Sequence, residues 1–249
     1  MGKHDEQVDE QVTFNFCLEP TNYVVQANTL IGGKQNLNLN SAKFIRSAIM
    51  QVVREDEELK PYVVTIRELA KLLEVSPENL YRDVEAMIKN IRENPVYIKR
   101  ADGKRIRWID YPWYSRCEYN SAVGISIQLN PYLKPLLLKL KQHYTQYMLK
   151  EILAMKSIYA IRIFEIIQSR IMSRAVPKKG AHVVLAVQEI RECCSCEDKL
   201  LKFNHFKTRV LDFAVKEINR TTMYTLSYTY VKNGRSVEAI DFFIKSKLC

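Results

Sequence analysis

The segment 203-FNHFKTRVLDFAVKEINRTT-222 carries two sets of side chains on one helical period. At about 100° per residue, Phe203, Phe206, Val210, Ala214 and Ile218 fall on one side, which is a core face. The opposite arc collects Asn204, His205, Thr208, Arg209, Asp212, Lys216 and Asn219, with Lys207 on its flank. Short polar and cationic side chains near the start of a helix are the groups that hydrogen-bond to base edges in a major groove. An ordinary solvated face is the bland reading of the same residues. Lys232, Asn233 and Arg235 sit at the tip of the alternating stretch 225-TLSYTYVKNGRSVEAIDFFI-244, where they would reach phosphates or the minor groove. A weaker set precedes them: Ser76, Asn79, Tyr81 and Arg82, then Lys99, Arg100, Lys104, Arg105 and Arg107. Glu78 and Glu85 dilute this set, so phosphate contact is expected mainly from Arg82 and the basic residues after it. Part of that surface is left for protein contact.

Other chemistry is poorly supported. The stretch 31-IGGKQN-36 lacks the G-x-x-x-x-G-K-[ST] spacing of a phosphate-cradling loop. His4, His143, His182 and His205 are isolated, with no His-x-His pair to hold a nicking metal. Cys193, Cys194 and Cys196 cluster without the second ligand pair that zinc usually takes. No catalytic residue, metal or cofactor is therefore assigned. The formal net charge of +10 is uneven: residues 1–130 hold 17 Lys+Arg against 18 Asp+Glu, and residues 131–249 hold 21 against 10. A polyanion is the implied partner, gripped mainly by the C-terminal half. The longest apolar runs fall far short of the roughly 20 residues of a membrane helix. The polar start 1-MGKHDEQVDEQVTF is unlike a secretory signal, so a cytoplasmic protein with reduced thiols is expected.

The elements that must position these residues recur. Residues 41–55 have helical spacing with Ser41 as N-cap, and 65-TIRELAKLLEVSPENLYRDVEAMIKNI-91 reads as a helix-turn-helix. Its starts are marked by a Thr65/Glu68 capping box and by Ser76-Pro77. A hairpin about Asp102-Gly103 follows, so helix, helix-turn-helix and basic hairpin form a winged helix. In the second half, residues 131–170 suggest two helices, the second starting near Ser157; 185–194 supply a short helix, 203–222 a longer one and 225–244 a hairpin about Asn233-Gly234. The fold class is α+β: two tandem winged-helix domains, at 1–128 and 129–249, with only the first dozen residues frayed.

The stretch 126-SIQLNPYLKPLLLKLKQHYTQYMLKEILAMKSIYAIRIFEII-167 resembles the signature of the RepB/Rep3-type plasmid replication initiators. Leu140, Tyr144, Thr145 and Tyr147 match its first block, with Tyr144 where phenylalanine is usual. Lys156, Ser157, Tyr159, Arg162, Phe164 and Glu165 match its second, with Phe164 where tyrosine is usual. Phe206, Lys207, Arg209, Leu211, Glu217, Ile218, Asn219 and Thr222 match a later block, in which Thr208 interrupts a basic run. The resemblance implies a bacterial initiator that binds direct repeats (iterons) at a plasmid origin as a monomer, helps open the duplex and recruits host replication proteins including the helicase. It also implies a homodimer, joined through the N-terminal domain, that represses its own promoter at an inverted repeat. A dedicated transcriptional repressor on the same scaffold is the main alternative, and a DNA-processing enzyme a remoter one.

Overall fold

Capping decides where the first helices begin. The computed structural model describes residues 23–53, 55–102, 105–171, 176 and 178–247. Strand β1 (Tyr23–Ala27) leads into the one-turn helix α1 (Asn28–Ile31), and α2 (Leu39–Met50) follows. The Asn38 side chain caps α2 by accepting from the Ser41 backbone N–H at 2.9 Å, so the cap precedes the predicted Ser41. Ser41 donates its hydroxyl to the Met87 carbonyl instead. Strand β2 (Pro61–Val64) precedes α3 (Ile66–Leu73), which starts on the expected Thr65/Glu68 capping box, and α4 (Pro77–Glu93), which Ser76 caps. Leu69, Ala70, Leu72 and Leu73 of α3 and Leu80, Val84 and Met87 of α4 are buried, and the Val75 N–H closes the turn on the Ala70 carbonyl. This is the helix-turn-helix.

Strands β3 (Val96–Asp102) and β4 (Arg105–Tyr111) pair from Val96↔Tyr111 to Asp102↔Arg105. Gly103 of the predicted turn lies outside the described residues. This hairpin forms a two-stranded sheet of its own, and its identification as the wing requires correction. The sheet that joins the helix-turn-helix core has the order β2-β6-β5 and uses β5 (Tyr114–Asn120) and β6 (Gly124–Leu129). Gly124 has φ +128°, and a Cβ there would stand 2.2 Å from the Val64 carbonyl oxygen. Glycine lets β6 begin this close to β2.

Residues 131–153 form no long helix, contrary to expectation. A 3-10 turn (Pro131–Leu133) and α5 (Lys134–Leu137) are followed by strand β7 (Tyr144–Met148) and α6 (Leu149–Leu153). Lys139 and His143 both have positive φ, which interrupts any helix. Tyr144, Thr145 and Tyr147 are strand formers, and β7 pairs antiparallel with β1, Tyr23 opposite Met148 and Ala27 opposite Tyr144. The division drawn at 128/129 falls within β6, and the β1–β7 pairing crosses it. The next helix, α7 (Ile158–Arg170), starts on the expected Ser157 cap.

The second repeat of the architecture comprises β8 (Ala181–Ala186), α8 (Val187–Cys193), a long helix, β9 (Tyr224–Asn233) and β10 (Ser236–Ser246). The long helix is continuous through α9 (Phe203–Phe206), a π-helical stretch (Lys207–Asp212) and α10 (Phe213–Thr221). The sheet order is β8-β10-β9. Asn233 pairs with Ser236, so Gly234 and Arg235 make the turn, one residue beyond the predicted pair; Gly234 has φ +60°. Two winged helices in tandem result, as expected for an α+β chain.

Candidate nucleic-acid interface

The helix 203–221 stands on the core face that its periodicity predicted. Phe206, Val210, Leu211, Ala214 and Ile218 are buried; Phe203 is half-buried against Tyr230. Leu211 joins Val210 inside because the π turn retards the helical phase by about one residue. The chain entering the helix is clamped by Arg191, whose guanidinium lies 4.4 Å from the Phe206 ring centroid and donates to the carbonyls of Cys196, Lys199, Leu200 and Leu201. At the far end the Asn219 amide donates to the Leu226 carbonyl and accepts from the Leu226 N–H, pinning the helix to β9. Asn219, although on the polar arc, is therefore a packing residue.

The outward arc is open where a reading helix would need it. Asn204, His205, Thr208, Arg209 and Lys216 are all exposed, and Lys232, Asn233 and Arg235 are exposed at the wing tip. The Thr208 hydroxyl donates to the Asn204 carbonyl at 3.0 Å. Lys207 is half-buried, and its ammonium donates to the Asp212 carboxylate at 2.6 Å. That bond raises the lysine above its ordinary pKa. For Asp212 partial burial pushes upward, but hydrogen bonds from Lys207 and Tyr228 outweigh it and hold the carboxyl below its ordinary value.

The first repeat brings together fewer of its candidates. Asn79, Tyr81 and Arg82 are exposed on α4, but Arg82 pairs with Asp83 at 3.1 Å, and the Ser76 hydroxyl oxygen is occupied by the Asn79 N–H. Strand register splits the hairpin cations between two faces. Arg100, Arg105 and Arg107 share the face whose base, Val96 and Ile98, is buried. Lys99 lies on the other, its ammonium 5.5 Å from the Trp108 ring centroid beside exposed Tyr97 and Ile106. Lys104 lies outside the described residues.

A buried polar network underlies the signature motif, and residue types alone did not disclose it. Arg46 of α2 donates to both carboxylate oxygens of Glu165, at 3.0 and 2.9 Å, and Arg162 donates to the same group at 2.7 Å. Tyr147 and Gln26 also donate to Glu165. Burial alone would raise the Glu165 pKa, yet the two guanidiniums hold it down at about 2. Arg162 further donates to the carbonyls of Ile31, Gly33 and Cys193, tying α1 to the end of α8. Phe164 is buried against Tyr147 and Tyr224. The motif thus builds the joint between the two repeats. Cys193, Cys194 and Cys196 are buried at this joint, and burial raises each thiol, Cys196 to about 11. Among the described residues no group of three or more His, Cys, Asp or Glu is placed to hold a metal ion, and no helix is long and apolar enough to cross a membrane.

Over 92% of this chain and 99% of the other, the fold matches the Pi initiator protein, solved in complex with iteron DNA, with a TM-score of 0.75 and 17% identity. Domains 2 and 3 of RctB share 12% identity over 85% of this chain and 83% of theirs, with a TM-score of 0.42. Residues 23–168 match the family model of the initiator replication protein WH1 domain, and residues 186–244 match that of the initiator Rep protein WH2 domain. With both domains present in order, the chain belongs to the Rep3-type family of replication initiator proteins.

Proposed function

We propose that this protein is a sequence-specific, double-stranded-DNA-binding initiator of plasmid replication that recognises iteron repeats at its origin. The observation that carries the reading is the open arc of the helix 203–221 in a chain of this family. Its core side is fully committed, while Asn204, His205, Thr208 and Arg209 stand exposed at the end that leads into a major groove. In this reading Lys207 and Arg209 contact base edges, Lys216 borders the backbone, and Lys232, Asn233 and Arg235 hold phosphates. Arg82, Arg100 and Arg105 of the first repeat, with Lys104, add backbone contacts beside Ser76, Asn79, Tyr81 and Lys99. We divide the chain functionally between α7 and β8, because α7 shares the Glu165 network with β1, α2 and β7.

Two winged helices on one face of a duplex would cover two successive major grooves, about 20 base pairs. Opening of the origin, recruitment of a host initiator and helicase, and repression of its own promoter as a dimer joined through the first repeat extend the same reading. A footprint of the purified protein on its plasmid's repeats tests it: protection of about two helical turns per repeat is expected, and equal affinity for unrelated duplex would contradict it. Supplying the protein in trans to an origin plasmid separates an initiator, which supports replication, from a dedicated repressor, which does not.

A further inference from the structure

Asp212 is an odd residue to find beside a polyanion, since a carboxylate among groove-facing side chains repels phosphate. Its surroundings account for it. In a regular α-helix Lys207 and Asp212 would point about 140° apart. The π-helical stretch has an i→i+5 repeat and aligns them. The Lys207 ammonium meets one carboxylate oxygen at 2.6 Å, and the Tyr228 hydroxyl donates to the other, also at 2.6 Å. Tyr228 lies on β9, packed against Tyr230 and Phe242 with ring centroids 5.7 and 6.0 Å away. A chain of contacts therefore runs from the wing strand through the carboxylate to the lysine.

We infer that Asp212 is a positioning residue for sequence discrimination: anchored by Tyr228, it fixes Lys207 in one place between the exposed arc of the helix and strand β9 and keeps it from seeking phosphates. The inference rests on the reading that this helix enters a major groove. A free lysine is a mobile point charge that finds any phosphate. A tethered one has fewer rotamers to lose and its charge is partly cancelled, so it contributes little to non-specific binding and can still donate its remaining N–H groups to a base edge.

The test compares the wild type with D212N, D212E, K207M and the K207M/D212N double variant. Binding is measured over a salt series to a duplex selected from a random pool by the wild type, and to its scrambled counterpart. D212N is expected to bind the scrambled duplex several-fold tighter, to steepen its salt dependence by about one unit of slope, and to lose about tenfold in discrimination. D212E restores wild-type behaviour, and in the K207M background D212N leaves discrimination unchanged and shifts the slope only by the smaller amount that follows from losing the carboxylate's own repulsion of phosphate. Y228F, which removes one anchor without altering charge, moves both quantities in the same direction by less, and serves if D212N fails to fold by circular dichroism. Wild-type slope and discrimination in folded D212N, or an undiminished D212N effect without Lys207, overturns the inference. A wild type that selects no duplex at all would instead sink the reading on which it rests.

Discussion

Glu165 shows how far one residue's role depends on partners distant in the chain. Its partners Arg46 and Gln26 lie 119 and 139 positions away. The motif residues Arg162 and Glu165 are visible in the sequence, but nothing local singles out Arg46 within the helical spacing of residues 41–55. In the fold α2 is buried on nearly every side, Lys43 and Arg46 included. The folded pKa of Glu165, about 2, lies below its ordinary 4.5. Its stabilising contribution is therefore complete above pH 4.5 and is lost as pH falls toward 2. Urea unfolding across that window should show an acid-side loss of stability that Glu165→Gln diminishes. The substitution itself should cost about 3–5 kcal/mol at neutral pH, because two buried guanidiniums lose their counter-charge; a cost below 1 kcal/mol would mean that the network is dispensable. On the outer arc, Arg209→Ala should remove about 1–3 kcal/mol of affinity for the selected site and little for scrambled duplex. Removing Lys232 or Arg235 should weaken both alike and flatten the salt dependence by about one unit.

Elements were legible where a local signal existed. The Thr65/Glu68 capping box and the Ser76-Pro77 start located α3 and α4, and the 3.6-residue period located the helix 203–221 with its core side. The π stretch left no mark in the sequence, since its cause is tertiary: Leu211 gains burial and Asp212 gains Tyr228. Strand β7 was mistaken for helix because the leucines around it repeat at helical intervals, while its partner β1 sits at the other end of the first repeat. The β5–β6 hairpin was missed because β5 is mostly exposed, with only Tyr114 and Cys117 half-buried, and a register shift after Tyr114 breaks its alternation. Gly124 was the available clue. Gly124→Ala should lower the urea midpoint, with about 1–3 kcal/mol from the left-handed backbone alone and more from the clash with Val64. An unchanged midpoint would show that β6 can shift away from β2.

For the molecule as a whole, most of the positive excess of residues 131–249 lies before the second repeat: residues 131–180 hold 10 Lys+Arg against 2 Asp+Glu, and residues 181–249, the repeat that carries the open arc of the long helix, hold 11 against 8. The joint binds that repeat to the first: Arg162 bridges the Ile31 and Gly33 carbonyls to that of Cys193, and the Cys193 thiol donates to the Gly32 carbonyl. Arg162→Lys keeps a cation beside Glu165 but cannot span three carbonyls. Its effect should appear as faster amide exchange in residues 28–34 and 187–196 with the helix 203–221 unaffected, and uniform exchange throughout would contradict a localised joint. The central claim is that the long helix reads the major groove. Methylation of guanine N7 across a selected duplex tests it most directly. Interference with wild-type binding is predicted at a short cluster of guanines, one of which ceases to matter in Arg209→Ala; no interference, or an identical pattern in that variant, would contradict the claim.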